Sequence, residues 1–359
     1  MPASADPAPS AASPSSAASP SPTEVAPPAA TPAPTQPAAS PAASASGSPP
    51  AYVFAPYFQT YTSDSLSDVA QASGVKNFTL AFLEATSKNS CALAWNGDKA
   101  RPLTAGLYLP EIAALRSAGG DVIPSLGGWS ADQGGTEIGD SCHNVHDILE
   151  AYKLLVTTYG VSRIDMDIEG RSLQRTAAID RRNQAIRKLQ EWAVAEERPL
   201  TISYTLPTSA TGLEADALAV LQSAVATGVR IDVVQPMVFD YYDGETTDMG
   251  AAAISALTGL HDQLRVLLPS KTDAELWAML GATIMPGIDD YPEKSEVTTL
   301  AHAQALRDFA ADRGMAALSM WAIQRDNGGC PGKAGSDSCS GIEQAPWAFS
   351  EILDTSTAP

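Results

Sequence analysis

VSRIDMDIEG, residues 161–170, is the most informative stretch of this chain. Its acidic residues recur at every second position, at Asp165, Asp167 and Glu169, with single apolar residues between them. Alternate side chains of a β-strand point to opposite faces, so the three acids share one face. Helical patterns at residues 146–159 and 174–197 flank the segment, which predicts a strand in a parallel sheet that is covered on both sides.

A buried row of acids is unfavourable for folding. An unpaired buried charge costs several kcal/mol, and neighbouring like charges raise each other's pKa. A fold retains such a row where the acids take part in chemistry. The alternative is an exposed edge strand with solvated acids, which the apolar residues between them disfavour.

The rest of the chain continues the alternation of strand and helix. Strand patterns occupy residues 52–57, 77–83, 121–126, 163–168, 200–205, 233–239, 282–287 and 317–321, and further helical patterns occupy residues 65–72, 111–118, 215–226, 249–260 and 300–313. Eight strands alternating with helices are typical of a (β/α)8 TIM barrel, an α/β fold. An open doubly wound sheet needs a Gly-rich turn after its first strand, and FAPYFQTY at residues 54–61 contains no glycine.

Composition divides the chain into three regions. Residues 1–50 are almost entirely Ala, Pro, Ser and Thr, with Asp6 and Glu24 as the charged residues, which predicts a disordered linker. Residues 51–353 have the composition of one globular domain, and residues 354–359 read as a flexible tail. No secretory signal peptide is visible before the linker, and no stretch is apolar for long enough to span a membrane.

The charge balance is acidic, with 41 Asp and Glu residues against 22 Lys and Arg residues and a net charge of −19. Nucleic acids and anionic membrane surfaces attract basic proteins, so this balance argues against both as partners. The charge says little about an uncharged ligand.

The four cysteines lie in loop-like sequence. Cys330 and Cys339 bracket the short loop PGKAGSDS, which a disulfide would close, and Cys91 and Cys142 would then pair by elimination. The Cys and His spacings match no zinc site. Two disulfides indicate an oxidising location, and the alternative is four free thiols in loops.

Active-site residues of a TIM barrel lie at the carboxyl ends of its strands. Several predicted strands end in aromatic and polar residues suited to a sugar, since a flat ring stacks on the apolar face of a pyranose. Taken singly, such aromatic residues are more often part of a core. The candidates are Tyr57 after the first strand, Ser125 and Trp129 at the third, Gln235, Met237, Phe239, Asp240 and Tyr241 at the sixth, and Trp321 at the eighth. Two glycines at residues 127–128 are expected to let the backbone approach the acids closely.

Four segments, in this order, carry a resemblance to the family 18 glycoside hydrolases, the chitinase family. They are SLGG at residues 125–128, DMDIE at 165–169, PMVFDYYD at 236–243 and SMWAIQRD at 319–326. The resemblance extends over residues 51–353 and is most specific to bacterial secreted chitinases with a single catalytic barrel. It implies that residues 51–353 form a (β/α)8 catalytic domain.

The resemblance also implies roles for the acids. Glu169 would protonate the glycosidic oxygen, while the 2-acetamido carbonyl of the substrate itself attacks the anomeric carbon. Asp167 would orient the acetamide N–H and stabilise the resulting oxazolinium ion, and Asp165 would share a proton with Asp167. Trp321 would form the floor under the reacting sugar. This chemistry requires no metal and no organic cofactor.

The sixth strand departs from the family pattern. Many relatives have a tyrosine where this chain has Phe239, and that tyrosine donates a hydrogen bond to the acetamide carbonyl. Tyr241 is two residues further on, where an extended strand would present it on the same face, so we expect it to take this role. Tyr242 and Asp240 are the other candidates.

Three functions are compatible with these residues. The first is a secreted, extracellular and monomeric chitinase that acts on chitin or chitooligosaccharides. The second is an endo-β-N-acetylglucosaminidase that acts on N-glycan cores. The third is an inactive chitin-binding lectin, which the presence of Glu169 disfavours, because such proteins typically lose this residue.

Overall fold

The computed structural model describes residues 53–246, 248–290 and 296–354. The linker predicted for residues 1–50 lies outside the described residues, as does the predicted tail beyond residue 354. Within these ranges the chain forms a parallel β-barrel surrounded by helices. The barrel strands are β1 in two parts (Val53–Phe54 and Tyr57–Gln59), β2 (Asn77–Ala85), β3 (Asp121–Gly127), β4 (Arg163–Asp167), β5 (Thr201–Pro207), β6 (Val233–Met237), β7 (Thr283–Ile284) and β8 (Ala317–Met320).

The divided strand β1 closes the barrel. Its first part pairs with β8 and its second part pairs with β2, while every other strand pairs with its neighbours in chain order. Across the break, the Ala55 N–H donates to the Leu318 carbonyl at 3.1 Å, and the Pro56 carbonyl accepts from the Thr79 N–H at 2.9 Å. Proline has no N–H to give to a ladder, which explains the break. The predicted (β/α)8 fold is confirmed.

Helices lie between successive strands and cover the outside of the barrel. Their bounds are Leu66–Ser73, Leu109–Ser117, Trp129–Gly134, Ile138–Ser141, Val145–Tyr159, Thr176–Ala195, Ala215–Thr227, Met249–Leu267, Asp273–Trp277, Leu300–Arg313 and Ala348–Leu353, with 3-10 turns at Leu103–Ala105, Gly170–Gln174 and Ile323–Arg325. The sequence predicts the long helices to within a few residues, except that the helix predicted to end at residue 260 continues to Leu267.

Local sequence sets many of the helix ends. The side chains of Ser65, Asn144 and Thr299 accept backbone N–H groups in the first turns of their helices. Gly74 and Gly314 end two helices in the left-handed conformation, which glycine adopts without steric cost. None of the described helices is both long and apolar enough to cross a membrane.

The strand register places the row of acids. On β4, Asp165 pairs with Ser125 of β3 and Ser203 of β5. Asp167 is two residues nearer the carboxyl end and pairs with Gly127. The row therefore rises along β4 toward the carboxyl end of the barrel.

Both predicted disulfides are present. Cys91 bonds to Cys142 and Cys330 bonds to Cys339. The first ties the loop after β2 to the end of the helix Ile138–Ser141, and the second closes a loop that follows β8.

Candidate active site

The three acids of β4 differ in their position relative to the solvent. Asp165 and Asp167 are buried, with exposed fractions of 1% and 3%. Glu169 follows the end of the strand, is partly buried, and borders a cleft together with Asp167. Only the upper two acids therefore face a volume that a ligand could fill.

Asp165 is surrounded by hydroxyl groups. Tyr57 and Ser125 lie 3.0 and 2.7 Å from its Oδ2, and Ser203 and Thr205 lie 2.5 and 2.9 Å from its Oδ1. Burial raises the pKa of Asp165, and these hydrogen bonds oppose that rise by stabilising the carboxylate. The protein itself thus satisfies the lowest acid of the row.

Asp167 is less fully satisfied. Its Oδ1 is buried and has no hydrogen-bond partner within the described residues. Burial raises its pKa well above the usual range, and the charges of Glu169, Asp165 and Asp132 raise it further. No hydrogen bond joins the carboxyl groups of Asp167 and Asp165 in the part of the chain described, so the proton predicted to be shared between them stays a prediction.

Glu169 has the electrostatics of a general acid. Burial raises its pKa to about 7, and the charge of Asp240 adds to this rise, while a hydrogen bond between the Glu169 and Asp167 side chains and one donated by the Trp129 backbone N–H oppose it. A carboxyl group with this pKa keeps its proton near neutral pH and can deliver it to a leaving group.

The two glycines at the end of β3 allow close packing around these acids. A Cβ atom on Gly127, which has φ +112°, would lie 1.9 Å from the Asp167 carbonyl oxygen. A Cβ atom on Gly128 would lie 2.5 Å from the ring of Phe82. The Gly128 N–H instead donates to the Asp167 carbonyl at 3.1 Å. The expected close approach of this backbone to β4 is confirmed.

A cleft of about 700 Å³ opens above the acids. Eight of the predicted site residues border it: Tyr57, Trp129, Asp167, Glu169, Met237, Phe239, Asp240 and Trp321. The Trp321 ring stacks on Phe82, with centroids 5.5 Å apart, and meets Tyr57 edge-on at 5.6 Å. Trp129 is 61% exposed at the rim of the cleft. The structure thus gives the cleft a stacked aromatic wall and an exposed indole.

Two predicted substrate-binding residues lie below the cleft instead. Ser125 is fully buried and donates to Asp165. Gln235 is 7% exposed, donates to the Thr283 Oγ1 at 2.9 Å, and borders a cavity of about 30 Å³ near the amino ends of the strands. Gln235 precedes the cleft residue Met237 by two positions, which is about 6–7 Å along a strand. The sequence identified the right face of β6 but not the depth.

The expected position of Tyr241 is wrong. Strand β6 ends at Met237, and Asp240 and Tyr242 have φ values of +50° and +55°, so strand alternation does not continue. The buried Glu296 carboxylate accepts the N–H groups of Tyr241 and Tyr242 at 2.8 and 3.0 Å and fixes this turn. The Tyr241 hydroxyl is buried with no partner among the described residues, whereas Tyr242 borders the cleft.

Several residues of the site were not predicted. Phe82 and Glu84 border the cleft from the end of β2, where the strand-end rule could have found them. Asp290 and Asp337 reach it from loops that carry no local signal. Asp132 is fully buried beside Glu169, and no spacing in the sequence links the two.

Comparison with known proteins points to one family. The model of "Glycosyl hydrolases family 18" matches residues 53–291. The chain is 36% identical over 318 residues to a probable bifunctional chitinase/lysozyme of Escherichia coli (strain K12), covering 85% of this chain and 34% of that protein. It is 35% identical over 289 residues to endochitinase 11 of Metarhizium anisopliae, covering 77% of this chain and 53% of that protein. The chain thus spans a third to a half of the length of these relatives.

Solved structures give the same result. The catalytic domain of a hyperthermophilic chitinase from Pyrococcus furiosus superposes with a TM-score of 0.71 at 30% identity, covering 85% of this chain and 94% of that one. Catalytic-site mutants of active domain 2 of a thermostable chitinase from the same organism, complexed with chito-oligosaccharides, superpose with a TM-score of 0.72, also at 30% identity and with the same coverage.

Proposed function

Because this chain belongs to glycosyl hydrolase family 18 and is a glycoside hydrolase of the chitinase type, we propose that it hydrolyses the β-1,4 bonds of chitin. The reaction retains the anomeric configuration and uses the acetamido group of the substrate as the nucleophile. One observation carries this proposal. Asp167 and Glu169 border the same cleft, the first with an oxygen that has no hydrogen-bond partner among the described residues and the second with a pKa that burial raises to about 7.

In the first step, protonated Glu169 gives its proton to the glycosidic oxygen. The carbonyl oxygen of the substrate's acetamido group forms a bond to the anomeric carbon as the bond to the leaving sugar breaks. Asp167 accepts a hydrogen bond from the acetamide N–H through its unpartnered Oδ1, and its charge stabilises the oxazolinium ion. In the second step, the Glu169 carboxylate takes a proton from a water molecule as the water oxygen attacks the anomeric carbon and opens the ion. The water attacks from the face that the leaving sugar occupied, so the configuration is retained.

Asp165 supports this reaction from below the cleft. The hydroxyl groups of Tyr57, Ser125, Ser203 and Thr205 hold it in place, and its charge raises the pKa of Asp167. The negative charge of Asp167 is unfavourable in the free enzyme because of this neighbouring charge. The positive oxazolinium ion relieves this cost when it forms beside Asp167. Trp321, stacked on Phe82, provides the apolar surface under the reacting sugar.

We assign the tyrosine donor to Tyr242 rather than to Tyr241. Tyr242 borders the cleft and is 58% exposed, whereas the Tyr241 hydroxyl is buried outside the cleft lining. The phenol of Tyr242 would donate to the acetamide carbonyl oxygen.

The charge of the cleft favours a neutral polymer over an anionic one. Glu84, Asp240, Asp290 and Asp337 border it in addition to the catalytic acids, and no Lys or Arg is among the lining residues in the described ranges. Peptidoglycan bears acidic peptides, amide-linked to the lactyl group of alternate sugars, and these acids would repel the carboxylates of those peptides. We therefore propose chitin as the substrate, although one relative's name includes a lysozyme.

We further propose that the enzyme works outside the cell as a monomer. Its two disulfides support an oxidising location. The composition of residues 1–50 is typical of the linkers in modular secreted enzymes, which supports secretion.

The test compares the enzyme with its Glu169→Gln variant on three substrates: chitin hexaose, a high-mannose N-glycopeptide and soluble peptidoglycan fragments. Products are analysed by mass and anomeric form within the first turnovers. We expect β-anomeric chitin fragments from the parent alone. Glu169→Gln should retain hexaose binding, measured by tryptophan fluorescence, because the amide keeps the shape of the acid.

Each other outcome would replace the proposal with a defined alternative. Cleavage of the glycopeptide alone would make the protein an endo-β-N-acetylglucosaminidase, and cleavage of peptidoglycan alone would make it a lysozyme. Binding without cleavage would make it a lectin. Unchanged hydrolysis by Glu169→Gln would refute the assigned acid.

A further inference from the structure

A fourth buried carboxyl group lies next to the row of acids on β4. Asp132 belongs to the short helix Trp129–Gly134, which follows β3, and its side chain is fully buried. One of its oxygens, Oδ2, accepts the backbone N–H of Glu169, and the other, Oδ1, has no partner among the described residues. Asp132 does not border the cleft, so it does not contact substrate.

The N–H that Asp132 accepts is the first one beyond the sheet. The preceding N–H, that of Ile168, donates to the Thr205 carbonyl of β5 at 3.0 Å. Strand β4 ends at Asp167, so no neighbouring strand offers an acceptor to Glu169. Buried backbone donors are almost always paired, and here a side chain from another element supplies the partner.

The same helix also contacts Glu169 at a second point. The Trp129 backbone N–H donates to the Glu169 carboxylate, while Asp132 holds the Glu169 main chain. A Cβ atom on the next residue, Gly170, would lie 2.3 Å from the Gln133 side chain, which shows how closely the two segments pack. The helix thus restrains both the main chain and the side chain of the acid.

A carboxyl group in this place is electrostatically unfavourable. Burial raises the pKa of Asp132 well above the usual range, and the charges of Glu137 and Glu169 raise it further, while hydrogen bonds with Ser172 and with the Glu169 N–H oppose the rise. Asp132 in turn raises the pKa of Asp167 and of Arg182, which bonds to Glu137. If the side chain at this position only filled space, an apolar residue would do so without the free-energy cost of burying a carboxyl group.

We propose that Asp132 is a positioning residue for hydrolysis: its buried carboxyl group accepts the Glu169 N–H and thereby fixes the direction in which the acid points into the cleft. This inference rests on the proposed role of Glu169 as proton donor. The residue acts through Glu169 and not on the substrate, so its loss should affect the chemical step more than binding.

The test uses three variants of the enzyme with chitin hexaose as substrate. Asp132→Leu removes the acceptor and excludes water, and Asp132→Asn keeps an oxygen that can accept the same N–H. The matched control is Asp232→Leu, because Asp232 also accepts a strand N–H, that of Ile202 at 2.9 Å, near the amino end of the barrel. Melting temperatures identify the conditions in which each variant is folded.

We expect Asp132→Leu to lower kcat by about 100-fold, the effect of displacing a catalytic group by about 1 Å, with KM changed less than about threefold. Asp132→Asn should retain kcat within about fivefold, and Asp232→Leu should lower the melting temperature but not kcat. Should Asp132→Leu fail to fold, Asp132→Ala carries the same expectation.

Two results would overturn the inference. The first is a kcat of Asp132→Leu equal to that of the Asp232→Leu control. The second is a loss of kcat in Asp132→Asn as large as the loss in Asp132→Leu. Glu169→Gln in the same assay separates this inference from the proposed function. If Glu169→Gln is active, the proposed function fails; if it is inactive while Asp132→Leu is normal, only the role of Asp132 fails.

Discussion

Substitution of Gly127 by alanine tests how closely the backbone at the end of β3 must approach the catalytic strand. The new Cβ atom would lie 1.9 Å from the Asp167 carbonyl oxygen, and real Cβ contacts essentially never fall below 3.0 Å. The Asp167 main chain must therefore move by about 1 Å. Misplacement of a catalytic group by about 1 Å can lower the rate about 100-fold, so we expect kcat on chitin hexaose to fall by that factor.

Gly119→Ala is the matched control for backbone strain. Gly119 also has a positive φ, +82°, but a Cβ atom there would meet nothing within 4 Å. Both variants should lose about 1–2 kcal/mol of stability from the left-handed conformation, which thermal melting would detect. Only Gly127→Ala should lose activity. Equal kcat values for the two folded variants would refute the reasoning that Gly127 sets the position of Asp167.

Three further predictions concern the acid, the buried ion pair and the tyrosines. Since Glu169 must be protonated to act and its pKa is raised to about 7, kcat/KM should fall about tenfold per pH unit above that value; a flat profile to pH 9 would contradict this. The Arg182 guanidinium bonds to the Glu137 carboxylate at 2.9 Å, and both side chains are at most 1% exposed. Arg182→Met leaves this carboxylate buried without its partner and should lower the free energy of unfolding, measured in urea, by about 3–5 kcal/mol. Adding Glu137→Leu should recover part of that loss, and no recovery would contradict the ion-pair account. Tyr242→Phe should lower kcat on chitin hexaose more than Tyr241→Phe does, and the reverse order would restore Tyr241 as the donor.

The sequence predicted the parts of the site that depend on strand periodicity. The alternation in residues 161–170 predicted Asp165, Asp167 and Glu169 on one strand face; the structure has Asp165 and Asp167 on β4, and Glu169 two residues past its end at the same cleft as Asp167. The glycines at the end of β3 indicated a close backbone contact because few other residues tolerate it. Each of these features follows from neighbours in the chain, so local rules were sufficient.

Local rules did not predict how deep a side chain lies in the barrel or how the loops after the strands turn. Gln235 lies on the predicted face of β6 but below the cleft, and Ser125 of β3 also lies below it, because the length of each strand and its register in the barrel decide which layer meets the solvent. Tyr241 departs from the strand alternation because Glu296, distant in sequence, accepts its N–H and holds the turn after β6. Asp132 carries no sequence signal for the same reason, since the N–H that it accepts lies 37 residues further along the chain.

The order of strands and helices and the row of acids at β4 could thus be predicted from the sequence, because both depend on spacing along the chain. The pairing of the cysteines, the side chains that border the cleft and the effect of Asp240 on the pKa of Glu169 required the folded structure. Those outcomes depend on distances between residues that are far apart in the sequence. Burial and Coulomb interactions act through space, and the closed barrel fixes those distances.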